Sequence, residues 1–251
     1  MVAEGMNKTI LYLTDDLLDP FLATRCRELL VKVSGGRPIV SVSQKPMDFG
    51  ENVCVGKIGR SGRSIDMQLS AGLEKVTTKW VALAEHDCIY SAEHFNWTPP
   101  DDEHFWYNDN VWLCQYKNPK YPDWDGMYSY KRLRRVQSQL ICDTELLRKA
   151  TIKKLAILSD PAWMARHARG RIGEPGCANY DRAMRISRYK DVRHLQAQLK
   201  EYTTVYGAHD FRTKVPNIDI RHGDNFTGPR RGNWRRFELR PWGKLEDVLN
   251  A

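Results

Sequence analysis

Short apolar runs alternate with stretches of helical periodicity along the first third of the chain. Thr9 to Leu13 is apolar and stops at Thr14-Asp15-Asp16, which predicts a strand ending in a polar loop. Pro20 stands at the start of a stretch, 21–33, in which Phe21, Leu22, Leu29, Leu30 and Val33 partly follow a helical spacing. Ser34-Gly35-Gly36 ends it with glycines where a helix terminus favours them. Pro38 to Ser43 is β-branched and predicts a second strand. Gln44 to Gly62 reads as a long glycine-punctuated loop, and Ser64 as the cap of a helix with Ile65, Leu69, Leu73 and Val76 on one face. Trp80 to Ala84 is apolar throughout, the mark of a strand buried on both faces.

Strand, helix, strand, helix, strand in this order predicts an α/β fold, Rossmann-like, with a mostly parallel sheet flanked by helices. Ligands of such sheets gather at the carboxyl ends of the strands. Those ends carry Thr14, Asp15 and Asp16, then Gln44 and Lys45, then Glu85-His86-Asp87. The second half is less regular. Tyr107 to Cys114 and the segment around Tyr128 predict further strands, 137–150 a helix, 161–176 a loop or short helices, and 181–202 an amphipathic helix. The segment 223–243 is basic and aromatic with little periodicity.

The chain has 251 residues, 41 % of them hydrophobic and 28 % charged, an ordinary balance for a globular protein. No apolar run approaches the ~20 residues of a membrane-spanning helix, and 1–9 lacks a signal-peptide pattern, so a cytoplasmic protein with no stable membrane association is expected. Six widely spaced cysteines without a C-x-x-C pair argue against a disulfide framework and a cysteine zinc site. The formal charge is +8, unevenly placed. Residues 1–125 hold 13 Lys+Arg and 18 Asp+Glu, whereas 126–251 hold 26 and 13. A basic half of this size points to a polyanionic partner or a phosphate-rich ligand.

Two carboxylates at Glu85 and Asp87, two residues apart in an extended segment, share a face and suit a hard divalent cation, with His86 directed elsewhere. The segment 64–87, a helix and then a strand running into Glu85-His86-Asp87, resembles the core of family-2-like glycosyltransferases of the GT-A fold. There a strand ends in a D-x-D motif that holds Mn²⁺ or Mg²⁺ and the diphosphate of a nucleotide sugar. This chain reads E-x-D and keeps both carboxylates. The resemblance covers roughly residues 9–115. It implies a single GT-A-like domain over 1–251, with 1–125 binding the nucleotide sugar, most simply a UDP-sugar, and a basic 126–251 binding the acceptor. Thr14, Asp15 and Asp16 resemble the loop that holds the nucleotide base. The chain contains no G-x-G-x-x-G after its first strand and no G-x-x-x-x-G-K-[ST], which sets aside dinucleotide and P-loop readings.

Arg60 and Arg63 lie among glycines ahead of a helix N-terminus, a setting that suits phosphate. His222, after an alternating segment, is the late ligand that such enzymes add to the metal or diphosphate site. Asn225, Arg230 and Arg231 follow as phosphate contacts. Glycosyl transfer with inversion requires a carboxylate base, for which Glu174, Asp181 and Asp219 compete.

Basic clusters recur at 131–135, at Arg166, Arg169 and Arg171, at Arg182, Arg185 and Arg188, and at Arg230, Arg231, Arg235, Arg236 and Arg240 among Trp234, Phe237 and Trp242. Arginines with interspersed aromatics suit phosphate contact and base stacking. The favoured acceptor is therefore DNA carrying a hydroxymethylated pyrimidine, in the manner of phage-type DNA-modifying glycosyltransferases. A glycan, lipid carrier or protein acceptor is the alternative, and a non-catalytic nucleic-acid-binding protein the third class.

Overall fold

The computed structural model describes residues 7–130, 135–161, 173–177, 207–225 and 233–250. The expected helix at 181–202, most of 161–176, Asp181, Arg230 and Arg231, and the clusters at 131–134, 166–171 and 182–188 lie outside these residues.

The strands are β1 (Lys8–Leu13), β2 (Ile39–Ser43), β3 (Glu51–Cys54), β4 (Trp80–Glu85), β5 (Cys88–Ile89), β6 (Phe105–Asn108), β7 (Val111–Gln115), β8 (Tyr128–Tyr130), β9 (Leu140–Asp143), β10 (Ala208–Phe211) and β11 (Asn217–Arg221). The helices are α1 (Pro20–Val33), α2 (Gly62–Leu73), α3 (Ala92–Asn96), α4 (Thr144–Leu158) and α5 (Leu245–Asn250). A seven-stranded sheet has the order β10-β6-β9-β4-β1-β2-β3, and a four-stranded sheet the order β5-β11-β7-β8. In the large sheet β1 pairs parallel with β2 and β4, β2 with β3, and β6 with β10, while β9 runs antiparallel between β4 and β6. This is the mostly parallel α/β sheet that the first ninety residues predict.

Side chains alternate across the sheet. Leu11, Leu13, Val81 and Leu83 pack on α2 and α4, whereas Ile10, Tyr12, Ala82 and Ala84 lie on the opposite face. Ile10, Leu11, Val81, Ala82, Leu83 and Ala84 are wholly buried. Each buried leucine contributes about 1.5–3 kcal/mol relative to exposure. Asp19 caps α1 by accepting from the Leu22 amide at 3.1 Å, with Pro20 in the first turn. The helix ends at Gly35 and Gly36, whose φ angles of +62° and +75° favour glycine.

Three segments depart from the expectations. The cap of α2 is Ser61, which accepts from the Ser64 amide at 3.0 Å, while the Ser64 hydroxyl donates to the Ile58 carbonyl. The long loop contains β3, whose half-exposed Glu51-Asn52-Val53-Cys54 carries no apolar alternation to reveal it. The expected helix over 137–150 is a 3-10 turn (Gln137–Gln139), then β9, then α4. Leu140, Ile141 and Cys142 are apolar because β9 is buried between two strands, and Asp143 starts α4 by accepting from the Leu146 amide at 2.9 Å. All six cysteines are free thiols, as their spacing implies.

Three strands of the large sheet are followed in the chain by strands of the small one. β4 turns through His86-Asp87 into β5, β6 leads into β7, and β10 into β11. The second sheet closes on α1 and α5 through Ile218, Ile220, Cys114, Tyr128, Leu22 and Leu249. Glu85-His86-Asp87 is therefore the crossing between the two sheets. No helix among the described residues is long and apolar enough to cross a membrane.

Candidate functional site

The strand order reverses between β1 and β4, where one neighbour leads to β2 and the other to β9. A crevice at the carboxyl ends of such a pair is where α/β sheets place ligands. Leu13 pairs with Glu85, so the loops after both strands emerge side by side. His86 and Asp87 form a tight turn into β5, and β5 pairs with β11, whose carboxyl end carries His222.

His86, Asp87 and His222 each place a ligating atom within 4.8 Å of the others. The Asp87 carboxylate is nearly buried, with His222 Nε2 3.6 Å from its Oδ2. Asn225 Nδ2 donates to the same oxygen at 2.8 Å. Burial opposes ionisation of Asp87, but the neighbouring His222, His86 and Arg221 outweigh it and hold the carboxyl well below its ordinary range. The group is an anion at neutral pH. His222 Nε2 is itself buried without a hydrogen-bond partner. A buried orphan nitrogen 3.6 Å from a carboxylate oxygen needs to close by only a few tenths of an ångström to make two ligands of one cation, because ligands ~2.1 Å from a metal stand about 3.0–3.4 Å apart. Two imidazoles and one carboxylate suit a borderline cation such as Mn²⁺ better than Mg²⁺.

The loop after β1 holds His86 in place. Thr14 Oγ1 lies 2.8 Å from His86 Nδ1, and Asp15 Oδ1 lies 3.6 Å from the same nitrogen. If Nδ1 donates to Thr14, the Nε2 lone pair is left for a ligand. Gln68 on α2 fixes the Thr14 carbonyl by donating from Nε2 at 2.6 Å. Arg60 Nε contacts Asp15 Oδ2 at 2.6 Å, and an Arg60 Nη donates to the Asp224 carbonyl at 2.5 Å. One guanidinium thus ties together the loops that follow β1, β3 and β11.

The metal set expected from the sequence was Glu85, Asp87 and His222. The structure brings Asp87 and His222 together with His86, which the E-x-D alternation had directed elsewhere. Glu85, still in β4, is outside the group, and its amide donates to the Tyr90 hydroxyl. Alternation fails here because a turn, unlike a strand, converges adjacent side chains. The signal for His86 was available in Thr14, a hydroxyl one strand away at matching register.

Of the expected donor contacts, Thr14 and Asp15 contact His86, and Arg60 contacts Asp15. Asp16, at φ +60°, accepts from the Gln44 and Lys45 amides at 2.6 and 2.8 Å and so joins the loops after β1 and β2. The Gln44 side chain is likewise committed, accepting from the Ile58 and Gly59 amides and donating to the Gly59 carbonyl. The Lys45 and Arg63 side chains are exposed. Asn225 supports Asp87 and caps the His222 turn by accepting from the His222 amide at 2.6 Å.

Among the candidate bases, Asp219 is buried on β11, opposite Cys88 in register and 3.4 Å from Arg221 Nη1. Glu174 is in a turn packed elsewhere, where Tyr107 of β6 donates to the Pro175 carbonyl at 2.6 Å. Near Glu174 the Cys177 thiol is pushed up to about 11, by burial and then by the Glu174 charge.

No protein-family model matches the chain, and no curated protein does. Among solved structures, it is similar to a glycosyltransferase involved in the glycosylation of the major capsid of PBCV-1, with 10 % identity, 81 % of each chain covered and a TM-score of 0.40. It is similar to S. aureus TarS 1-349 at 10 % identity, covering 86 % of this chain and 60 % of that one, with a TM-score of 0.38. It is also similar to the bifunctional IspDF from Campylobacter jejuni at 15 % identity and a TM-score of 0.39, covering 64 % of this chain. The chain spans about half the length of IspDF, 47 %. At these values the fold stands on the strand order and register themselves.

Proposed function

We propose that the chain is a metal-assisted glycosyltransferase of GT-A type that takes a nucleotide sugar, most simply a UDP-sugar, and transfers the sugar to a hydroxyl. The observation that carries this reading is the convergence of Asp87, His222 and His86 at the point where the strand order reverses. Asp87, His222 and His86 would hold Mn²⁺, or less favourably Mg²⁺, which when bound supplies charge neutralisation for a diphosphate.

The chain's own residues do the remainder. Thr14 and Asp15 orient His86, and Asn225 orients Asp87. Arg60 offers a guanidinium at the same crevice, with Lys45 and Arg63 exposed beyond it and Arg230 and Arg231 following in the chain. In the transfer, the bond from the anomeric carbon to the diphosphate oxygen breaks and a bond from that carbon to the acceptor oxygen forms. The acceptor proton passes to a carboxylate, and the nucleoside diphosphate leaves with the bonding pair. Of the three candidate bases, Asp219 stands opposite Cys88, the neighbour of Asp87, and Glu174 and Asp181 are its rivals.

The acceptor we infer is DNA bearing a hydroxymethylated pyrimidine, on the strength of the charge of residues 126–251, in which 26 Lys+Arg face 13 Asp+Glu. The test is donor turnover across a panel of nucleotide sugars with Mn²⁺ titrated in. Turnover that saturates with Mn²⁺ and falls at least a hundredfold in His222→Ala supports the reading. A His222→Ala protein that turns over donor like the wild type overturns it.

A further inference from the structure

A second pair of imidazoles meets at the far edge of the large sheet. β10 is the edge strand there and pairs with β6, where Ala208 aligns with Phe105 and His209 with Trp106. Side chains aligned on neighbouring strands share a face, so Trp106 and His209 stand side by side. The Phe105 amide donates to the Gly207 carbonyl at 2.9 Å, which brings His104, the residue before β6, over the start of β10. The rings of His104 and His209 lie 4.5 Å apart between centres, with their planes at 81°. β9 runs antiparallel to both β4 and β6, so the start of β6 is at the amino end of the sheet, opposite the end that carries Asp87.

A neighbour holds each ring in place. Asp101 Oδ1 lies 2.8 Å from His104 Nδ1, and the same oxygen accepts from the Glu103 and His104 amides at 3.1 Å each. A carboxylate only accepts, so Nδ1 carries the His104 proton and the Nε2 lone pair is open, the arrangement in which a carboxylate backs a metal-binding histidine. His209 stacks on Trp106 with centres 5.0 Å apart at 29°. The His104 side chain is 34 % exposed and His209 is exposed, so solvent reaches both.

Both Nε2 atoms border the space over Gly207. A Cβ on Gly207 would lie 3.6 Å from His104 Nε2 and 3.9 Å from His209 Nε2, and only 2.9 Å from His104 Cδ2. Glycine keeps that space open. Zinc–nitrogen distances of ~2.1 Å and tetrahedral angles put the centres of two Nε2-bound imidazoles about 5 Å apart, so the observed 4.5 Å has to open by less than an ångström.

We propose that His104 and His209 form a Zn²⁺ site, with water completing the coordination and Asp101 as the positioning residue behind His104. The donor set decides the class of ion. Two neutral imidazoles suit Zn²⁺ and its borderline neighbours, whereas Mg²⁺ and Ca²⁺ require oxygen ligands. Bound there, the ion ties the edge strand to β6 across all of the chain from 109 to 207, the kind of long closure that a cross-link constrains most. The site does not rest on the sugar-transfer reading.

The test is calorimetric titration of the full, untagged chain with Zn²⁺, for the wild type and for His104→Gln and His209→Gln, each checked for an unchanged thermal midpoint without metal. Because the Asp87 group is a separate candidate for a divalent ion, the readout is the difference between proteins. The wild type should take up one Zn²⁺ more than either variant, and excess Mg²⁺ should not displace it. Asp101→Asn leaves both ligands in place and should weaken that site 10- to 100-fold. Equal Zn²⁺ uptake by the wild type and both histidine variants overturns the proposal, whether that uptake is one ion or none. Loss of the ion in only one of the two histidine variants also overturns it, since the ion is then held by a single imidazole. Displacement by Mg²⁺ overturns the assignment to imidazole ligands, and an unchanged affinity in Asp101→Asn overturns the positioning role.

Discussion

Asp66 on α2 and Lys154 on α4 form an ion pair at 2.9 Å beneath the site, with side chains 1 % and 9 % exposed. Neither Asp66 oxygen completes a hydrogen bond of good geometry, so the contact is Coulombic rather than directional. A pair at this distance is worth at most ~6 kcal/mol at an effective dielectric of ~20, before the cost of desolvation. Removing the cation leaves a buried charge uncompensated, a loss of about 3–5 kcal/mol in such cases, and the missing directional bond favours the lower end. Lys154→Met should therefore destabilise by about 3 kcal/mol at pH 7, or ~6–12 °C in Tm for a domain of this size. The loss depends on pH in a defined sense. Burial raises the Asp66 carboxyl above its ordinary value, and Lys154 opposes that rise. Without Lys154 the folded state holds the Asp66 proton to still higher pH, so the penalty grows as pH rises above the unfolded carboxylate range and shrinks below it. Thermal melts at pH 7 and at about pH 4.5 read both quantities, and Asp66→Asn/Lys154→Met should recover most of the loss. A Tm change below about 2 °C at pH 7, or one equal at the two pH values, refutes the reasoning. The pair matters to function because α2 also carries Gln68, which fixes the Thr14 carbonyl.

Gly72→Ala would place a Cβ 2.5 Å from Leu11 Cδ1 and 2.6 Å from Val42 Cγ2. Overpacking of ~1–3 kcal/mol should outweigh the ~1 kcal/mol gained in helix propensity, and urea unfolding should show a net loss. His94 is fully buried, and burial followed by the Lys8 charge holds its imidazole down to about 3. Because the unfolded state protonates first, stability should be intact above about pH 6.5 and fall as pH drops toward 3, with His94→Phe flattening that limb in acid titration by circular dichroism. Arg60→Ala removes the tie between the loops carrying Asp15 and Asp224, and donor KM should rise roughly tenfold, the effect of losing about 1.4 kcal/mol, with Arg60→Lys restoring only part.

The first half of the fold was legible because its signals are local. Thr9 to Leu13 and Trp80 to Ala84 are apolar on both faces, and Pro20 and Gly35 mark the bounds of α1. β9 is hidden in the sequence because Leu140-Ile141-Cys142 joins the apolar spacing of α4 without a break, and only pairing with β4 and β6 makes it a strand. β3 escaped because an edge strand of Glu51-Asn52-Val53-Cys54 needs no apolar alternation. At the site, Asp87 and His222 were visible as chemistry at strand ends. The partnership of His86 was not, because it depends on the turn from β4 into β5. The commitment of Asp16, Gln44 and Asn225 to loop hydrogen bonds was equally hidden, since a polar side chain near a strand end reads the same whether it holds a ligand or its own backbone.

The central claim is that the Asp87, His222 and His86 group serves sugar transfer to a base hydroxyl. The most direct measurement is the nucleoside mass of hydroxymethylpyrimidine DNA after incubation with Mn²⁺ and a nucleotide-sugar panel, for the wild type and for Asp87→Ala. The account predicts a mass gain of one sugar on the modified base with the wild type and none with Asp87→Ala. An unmodified base with every donor, or equal labelling by Asp87→Ala, would contradict it.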